Sequence, residues 1–197
     1  MKNDNSQLPF KNRFYIFNQK GKFLSPWSLR TRLKGLLWKT TWLLLFRPSP
    51  KPMKKWRNFL LRCFGTRITG HPFVSSSAQI RMPWNLVLED HACIGEKAEI
   101  YNLGLVTLKK HCVIAQEVYL CTGTHDLSDQ NSPLMVAPIV IEEEAFIGVR
   151  ALILPGVVIG SKAIVGAGSV VPRDVPKSMI IAGNPSKPIG IRRLNSI

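Results

Sequence analysis

Aliphatic residues return at every sixth position through most of this chain. Ile141, Ile147, Ile153, Ile159, Val165 and Val171 mark one unbroken run. An earlier run is marked by Val74, Ile80, Leu88, Ile94, Ile100, Leu108, Ile114 and Leu120, with slips of two residues before Leu88 and before Leu108. An interruption at 125–138 separates the runs. Four positions after a marker the residue is small or slim, as at Ala78, Ala92, Ala98, Cys112, Val118, Ala145, Ala151, Val157, Ala163 and Ser169. The position just after the marker is often Gly, Ala or acidic, as at Gly95, Ala115, Gly148, Gly160 and Gly166. Side chains two apart on a strand share a face, so the small residue points the same way as the marker that follows it. A short strand and a turn every six residues wind the chain into flat-faced coils, with large aliphatics at mid-face and small residues at tight corners. Such repeats predict a parallel β-helix, here over 74–176. A sandwich would instead space its strands about 8–12 residues apart with hairpin turns.

The first 73 residues read differently. Residues 1–24 are polar, basic and aperiodic, as in a loose terminus. In "SPWSLRTRLKGLLWKTTWLLLF" Ser25 can cap a helix with Pro26 at its first position. "RPSPKP" breaks the chain, and "MKKWRNFLLRCFG" predicts a second helix stopped by Gly65. That helix would put Met53, Trp56, Phe59, Leu60, Cys63 and Phe64 on its apolar side and Lys54, Lys55, Arg57 and Arg62 elsewhere. The apolar run from Trp42 to Phe46 is far short of the roughly 20 residues that cross a bilayer. Two readings of the helices stand: they pack on the body or a neighbouring subunit, or they lie in a membrane interface with Trp38, Trp42 and Trp56 inserted.

Charge sharpens this division. Of the formal net charge of +15, residues 1–73 hold all: sixteen Lys and Arg against the single acid Asp4. Residues 74–197 hold eleven of each sign, so a basic arm precedes a neutral body. Aromatic residues interleave with the arm's cations, but no nucleic-acid-binding motif appears. Cys63, Cys93, Cys112 and Cys121 lack metal-ligand spacing, so no metal is expected. The N-terminus lacks the apolar run of a signal peptide, and reduced thiols in the cytoplasm are expected.

The hexads, "ILPGVVIG" at 153–160, "VGAGSVV" at 165–171 and "IAGNPSKPIG" at 181–190 resemble the left-handed β-helix acyltransferases. "YLCTGTHD" at 119–126, "LFRPSPKPMKKWRNFLLRCFG" and "MPWNL" at 82–86 are similar to the colanic acid biosynthesis acetyltransferases, a subgroup related to galactoside and maltose acetyltransferases. The resemblance runs from about residue 35 to the C-terminus. It implies a left-handed coil, a 177–197 tail completing a coenzyme A groove, and a homotrimer with acetyl-CoA between neighbours. The activity implied is acetyl transfer from acetyl-CoA to a hydroxyl of a sugar or lipid-linked saccharide in surface polysaccharide assembly.

A hydroxyl attacking a thioester needs a base, and imidazole titrates in the right range. His91 and His111 stand three positions after a marker, where the hexad turns outward, and His71 precedes the repeats. His125 alone opens the interruption, and it matches the family's catalytic histidine. Asp126 is adjacent, and either it or a main-chain carbonyl would orient the ring. The resemblance further implies an oxyanion-binding amide at Val149, coenzyme A contacts at Gly148, Val149, Gly166 and Ala167, and phosphate contacts at Arg173 and Lys187. Pro172 stands where relatives often have threonine. Asn102 roughly matches a sugar-holding asparagine, with a polar turn residue as the plainer reading. Trp84 breaks the small-residue rule, either as a sugar platform or through repacking at the first coil. Two other readings remain: an acetyltransferase of a small molecule such as an antibiotic, and a non-catalytic β-helix scaffold.

Overall fold

Every one of the marker residues is buried, and so is every small residue two positions before a marker. They form one continuous core along the axis of a left-handed parallel β-helix of about six turns. The computed structural model describes residues 9–17 and 25–193. Its coil is a triangular prism. Face I stacks Arg67–Ile68, Leu86–Leu88, Val106–Leu108, Ile139–Ile141 and Val158–Ile159. Face II begins at Phe73–Val74 and face III at Gln79–Ile80. Coils stack in register, so that Ile94, Ile114, Ile147, Val165 and Ile181 form a ladder of aliphatics on face II. The left-handed winding departs from the usual right-handed crossover.

The corners explain the rest of the hexad. Three positions after a marker the backbone enters the left-handed region, with φ from 56° to 61° at His91, Lys97, His111, Glu117, Glu144, Arg150 and Lys162. His91 and His111 are such turn residues, and their rings stack at 5.0 Å on the I–II corner. The position after the marker is tight because the next coil lies directly against it. A β-carbon at Gly148 would come within 2.7 Å of Ala167 N, and one at Gly160 within 2.6 Å of Lys177 N.

The first coil starts at Arg67, and its open end is closed by helices α1 (Leu29–Thr41) and α2 (Lys54–Cys63), with one π-helical turn, Trp42–Phe46, after α1. A sheet edge exposes alternate carbonyls, a template for unwanted pairing. Here the edge carbonyls meet side-chain N–H groups: Trp38 Nε1 donates to Ile80 O at 2.7 Å and Trp42 Nε1 to Ala78 O at 2.8 Å. Arg57 Nε donates to Val74 O at 2.7 Å, and Asn58 Nδ2 to Pro72 O at 3.0 Å. Trp56 Nε1 reaches Leu45 O. These tryptophans anchor the cap, and Trp38 is fully inside it.

Three local expectations are corrected. Ser28, rather than Ser25, caps α1, because its Oγ accepts from Thr31 N at 3.2 Å while Ser25 Oγ meets Trp27 N. Helix α2 is also rolled from its expected orientation: Arg57, Asn58, Leu60 and Leu61 are buried, whereas Met53, Phe59 and Cys63 are exposed. Arg57 and Asn58 turn inward because the coil end offers them acceptors. Among residues 9–17, expected to be loose, Tyr15–Ile16 forms a strand, and Arg13 is buried with its guanidinium on Gly156 O and Asp174. Residues 1–8, 18–24 and 194–197 lie outside the described residues.

Candidate active site

Both slips and the interruption fall on one corner, III–I, where residues 81–85, 101–105 and 121–138 lie above one another. The slips follow Ile80 and Ile100, and the interruption follows Leu120, at intervals of one coil plus two residues. The widened corner is held by polar side chains that bond main chain. Asn102 is fully buried; its Nδ2 donates to Met82 O and Asn85 O, and its Oδ1 accepts from Met82 N at 2.9 Å. Thr122 repeats this one coil on, donating to Tyr101 O and accepting from Gly104 N. Asn102 therefore clamps the corner, and its amide has no group left for a sugar.

On this base the interruption rises as a hairpin of Gly123–His125 and Leu134–Val136. The inner side packs Leu134 and Val136 on Met82 and Leu103, and Tyr15–Ile16 extends the hairpin as a third strand along Leu134–Val136. His125 ends its strand, exposed, with Nδ1 2.7 Å from Ser132 O across the loop. A carbonyl only accepts, so Nδ1 is the donor, and in the neutral ring the lone pair falls on Nε2. Ser132 itself sits at φ 45°, a turn residue that aims its carbonyl at the ring. Asp126 does not reach the imidazole. Its Oδ1 accepts from Ser128 N and Oγ, which closes the loop tip and holds the carboxyl below the usual carboxylate range. Leu127 at that tip is 85% exposed.

The remaining candidates divide between corners. Gly148, Val149, Gly166 and Ala167 line corner II–III, after markers Ile147 and Val165. The missing side chain of Gly148 is required by the coil stacked on it, as is that of Gly166 by Ala182. Among the described residues the Val149 N–H meets no acceptor, while Val149 O accepts from Gly168 N. Lys187 is exposed on the terminal hairpin, paired with Ala182 just beyond this corner. Arg173, exposed beside Asp174, lies instead on corner III–I with His125. Trp84 is half-buried under α1, with Lys34 Nζ 4.5 Å above its ring. With Trp27, Trp42 and Tyr101 it lines a cavity of 540 Å³ between α1 and the coil. Sequence reasoning missed Ser132 and Arg13, neither of which has a spacing signal. Thr122 could have been found as the next rung of Asn102, 20 residues on.

Two of the cysteines are set back in the coil. Burial pushes the Cys112 thiol up to about 12 and raises Cys93, so both stay protonated and inert. Cys121 donates its thiol to Gly123 O at 3.1 Å.

Residues 138–173 match the family model for the hexapeptide repeat of succinyl-transferase. WcaF of Escherichia coli K12, which carries the name of a colanic acid biosynthesis acetyltransferase, is 38% identical over 154 residues, covering 78% of this chain and 85% of WcaF. A hexapeptide-repeat acetyltransferase of Vibrio cholerae, solved with acetyl-CoA, superposes with a TM-score of 0.76 at 24% identity, covering 87% of this chain and 94% of that one. A maltose O-acetyltransferase of Clostridium difficile gives 0.74 at 21% identity, covering 85% and 90%. The chain therefore belongs to the hexapeptide-repeat acetyltransferases, in the family that shares the WcaF sequence.

Proposed function

We propose that this protein transfers an acetyl group from acetyl-CoA to a sugar hydroxyl during assembly of a surface polysaccharide. His125 Nε2 takes the hydroxyl proton as the oxygen attacks the thioester carbonyl, and the tetrahedral oxyanion is held by the Val149 N–H. Coenzyme A leaves as the thiol, and no acyl-enzyme forms. The observation that carries this reading is the bond from His125 Nδ1 to Ser132 O, which places the neutral ring's lone pair on Nε2 at the rim of the coil. The WcaF likeness supports a polysaccharide acceptor.

The pantetheine arm lies along Gly148, Val149, Gly166 and Ala167, with the nucleotide phosphates near Lys187. Arg173 joins them from another chain. His125 and Val149 stand on different corners of one prism, so the complete site forms between neighbours of a homotrimer. The acceptor is a sugar or a lipid-linked saccharide, met at the cytoplasmic face of the membrane. His125→Ala tests the base: acetyl transfer to a saccharide acceptor should fall roughly 10²–10⁴-fold, with acetyl-CoA affinity unchanged in calorimetry. Wild-type turnover in that variant would remove His125 from the mechanism.

A further inference from the structure

Among the described residues, the outer face of α1 has no partner. Trp38 pins α1 to the first coil, and at about 3.6 residues per turn the opposite face carries Leu29, Leu33, Leu36 and Leu37, while the π-helical turn that follows exposes Leu43 and Leu44. Each of these leucines is more than half exposed. Thr40 lies within the same stripe, and Arg30, Arg32 and Lys39 flank it, all exposed. A soluble surface rarely gathers so many large apolar side chains on one face.

The charge around the stripe selects its occupant. Between residues 25 and 67 the chain carries eleven Lys and Arg, all exposed except Arg57. From residue 5 to residue 88 it carries no Asp or Glu at all. An apolar strip edged by cations, on a segment with no acid of its own, fits a surface that is anionic outside and apolar just beneath; the coils bring Glu99 to the cavity under α1 and Glu96 to Lys51. We infer that the leucine face of α1 docks on an anionic lipid bilayer, lying in its interface with the leucines among the upper acyl chains and the cations at the headgroups. The tryptophans take no part, because their indole N–H groups are bonded within the cap and to the first coil.

The helix lies at the N-terminal end of the prism, facing away from the coils. In the parallel trimer of the reading above, three such faces point the same way, and binding at one raises the effective concentration at the next two. The inference deepens the membrane placement of that reading but does not depend on the chemistry at His125.

The test uses the full-length protein and flotation with vesicles of phosphatidylethanolamine and phosphatidylglycerol, against vesicles of phosphatidylcholine alone. Binding is expected to the anionic vesicles only and to weaken steeply as salt rises. The triple variant Leu36→Ser/Leu37→Ser/Leu44→Ser should lose about tenfold or more in vesicle affinity, with its melting temperature, solution mass and turnover on a soluble acceptor unchanged. Thr40→Leu, which completes the stripe, should bind more tightly than wild type. Absence of vesicle binding, or binding indifferent to all four positions, would overturn the inference. So would a triple variant whose solution mass drops, since the stripe would then be a contact between copies. Failure of acetyl transfer with vesicle binding intact would count against the catalytic reading alone.

Discussion

An imidazole serves as a base only if one ring nitrogen is free, and at His125 a single carbonyl decides which. Ser132 O fixes Nδ1 as the donor, and the loop that aims it is closed by Asp126 rather than by the ring. Asp126→Ala removes the acceptor for Ser128 N and Oγ, so Ser132 should wander and kcat should fall by roughly 3- to 30-fold, a modest positioning loss against a full base deletion. The KM for acetyl-CoA should not change. Asp126→Asn keeps a side-chain oxygen and should recover most of the loss. The pKa direction adds a pH test. The folded-state value lies below the unfolded value of about 3.9, so the turn's extra stability is present above that and is lost as pH falls through the folded value. Hydrogen exchange over 126–133 should therefore accelerate in that acid window, while exchange in the coils stays slow. The protonated Cys112 and Cys93 add a third expectation at this scale. Incubation with labelled acetyl-CoA and no acceptor should leave no label on the denatured chain; stoichiometric label on Cys121 would require a covalent route.

At the scale of elements, the coils and the cap were legible to different degrees, for a physical reason. A hexad places the same demand on every coil, so the pattern accumulates along the sequence, and face, corner and turn positions follow from it. Even the widened corner was written there, because Ile80, Ile100 and Leu120 precede its three insertions at 20-residue intervals. The cap places its demand once. Its two helices must satisfy the alternate carbonyls of Pro72, Val74, Ala78 and Ile80, and nothing in the spacing of α2 says that Arg57 and Asn58 will turn inward to do so. Apolar moment alone put Phe59 inside, and the acceptors at the coil end overrode it. His125 was legible by its place at the interruption, whereas Ser132, a carbonyl seven residues on, had no side-chain signature. The cap also carries a stability prediction. Arg57 is buried, its pKa lowered by desolvation, and it serves Val74 O, Ser49 Oγ, Pro50 O and Lys51 O. Arg57→Met fills the space but strands those acceptors, at a cost of about 3 kcal/mol. For a chain of this size that is a fall of about 6–12 °C in Tm, readable by calorimetry.

For the whole molecule, the separation of the two halves of the proposed site governs how it could be assembled. Corner III–I carries His125 and Arg173, corner II–III carries Val149, Ala167 and Lys187, and a full face of packed aliphatics lies between them. A rigid β-helix cannot bend to bring two of its corners together, but a parallel neighbour can present one corner to the other. The exposed Leu127 at the tip of the His125 loop is an apolar side chain suited to such a neighbour. Two defective chains then make a decisive test. His125→Ala chains keep an intact corner II–III; Ala167→Trp chains keep His125 but fill the proposed pantetheine groove at an exposed position. Each alone should be nearly inactive. Refolded together in equal amounts, a site works when its imidazole comes from an Ala167→Trp chain and its groove from a His125→Ala chain. Random assembly makes that about a quarter of all sites, following the statistics of a cyclic trimer. Recovery near that level, with the trimer mass intact in light scattering, is the expected outcome. Activity no higher than either parent would place the whole site within one chain and remove the need for a partner.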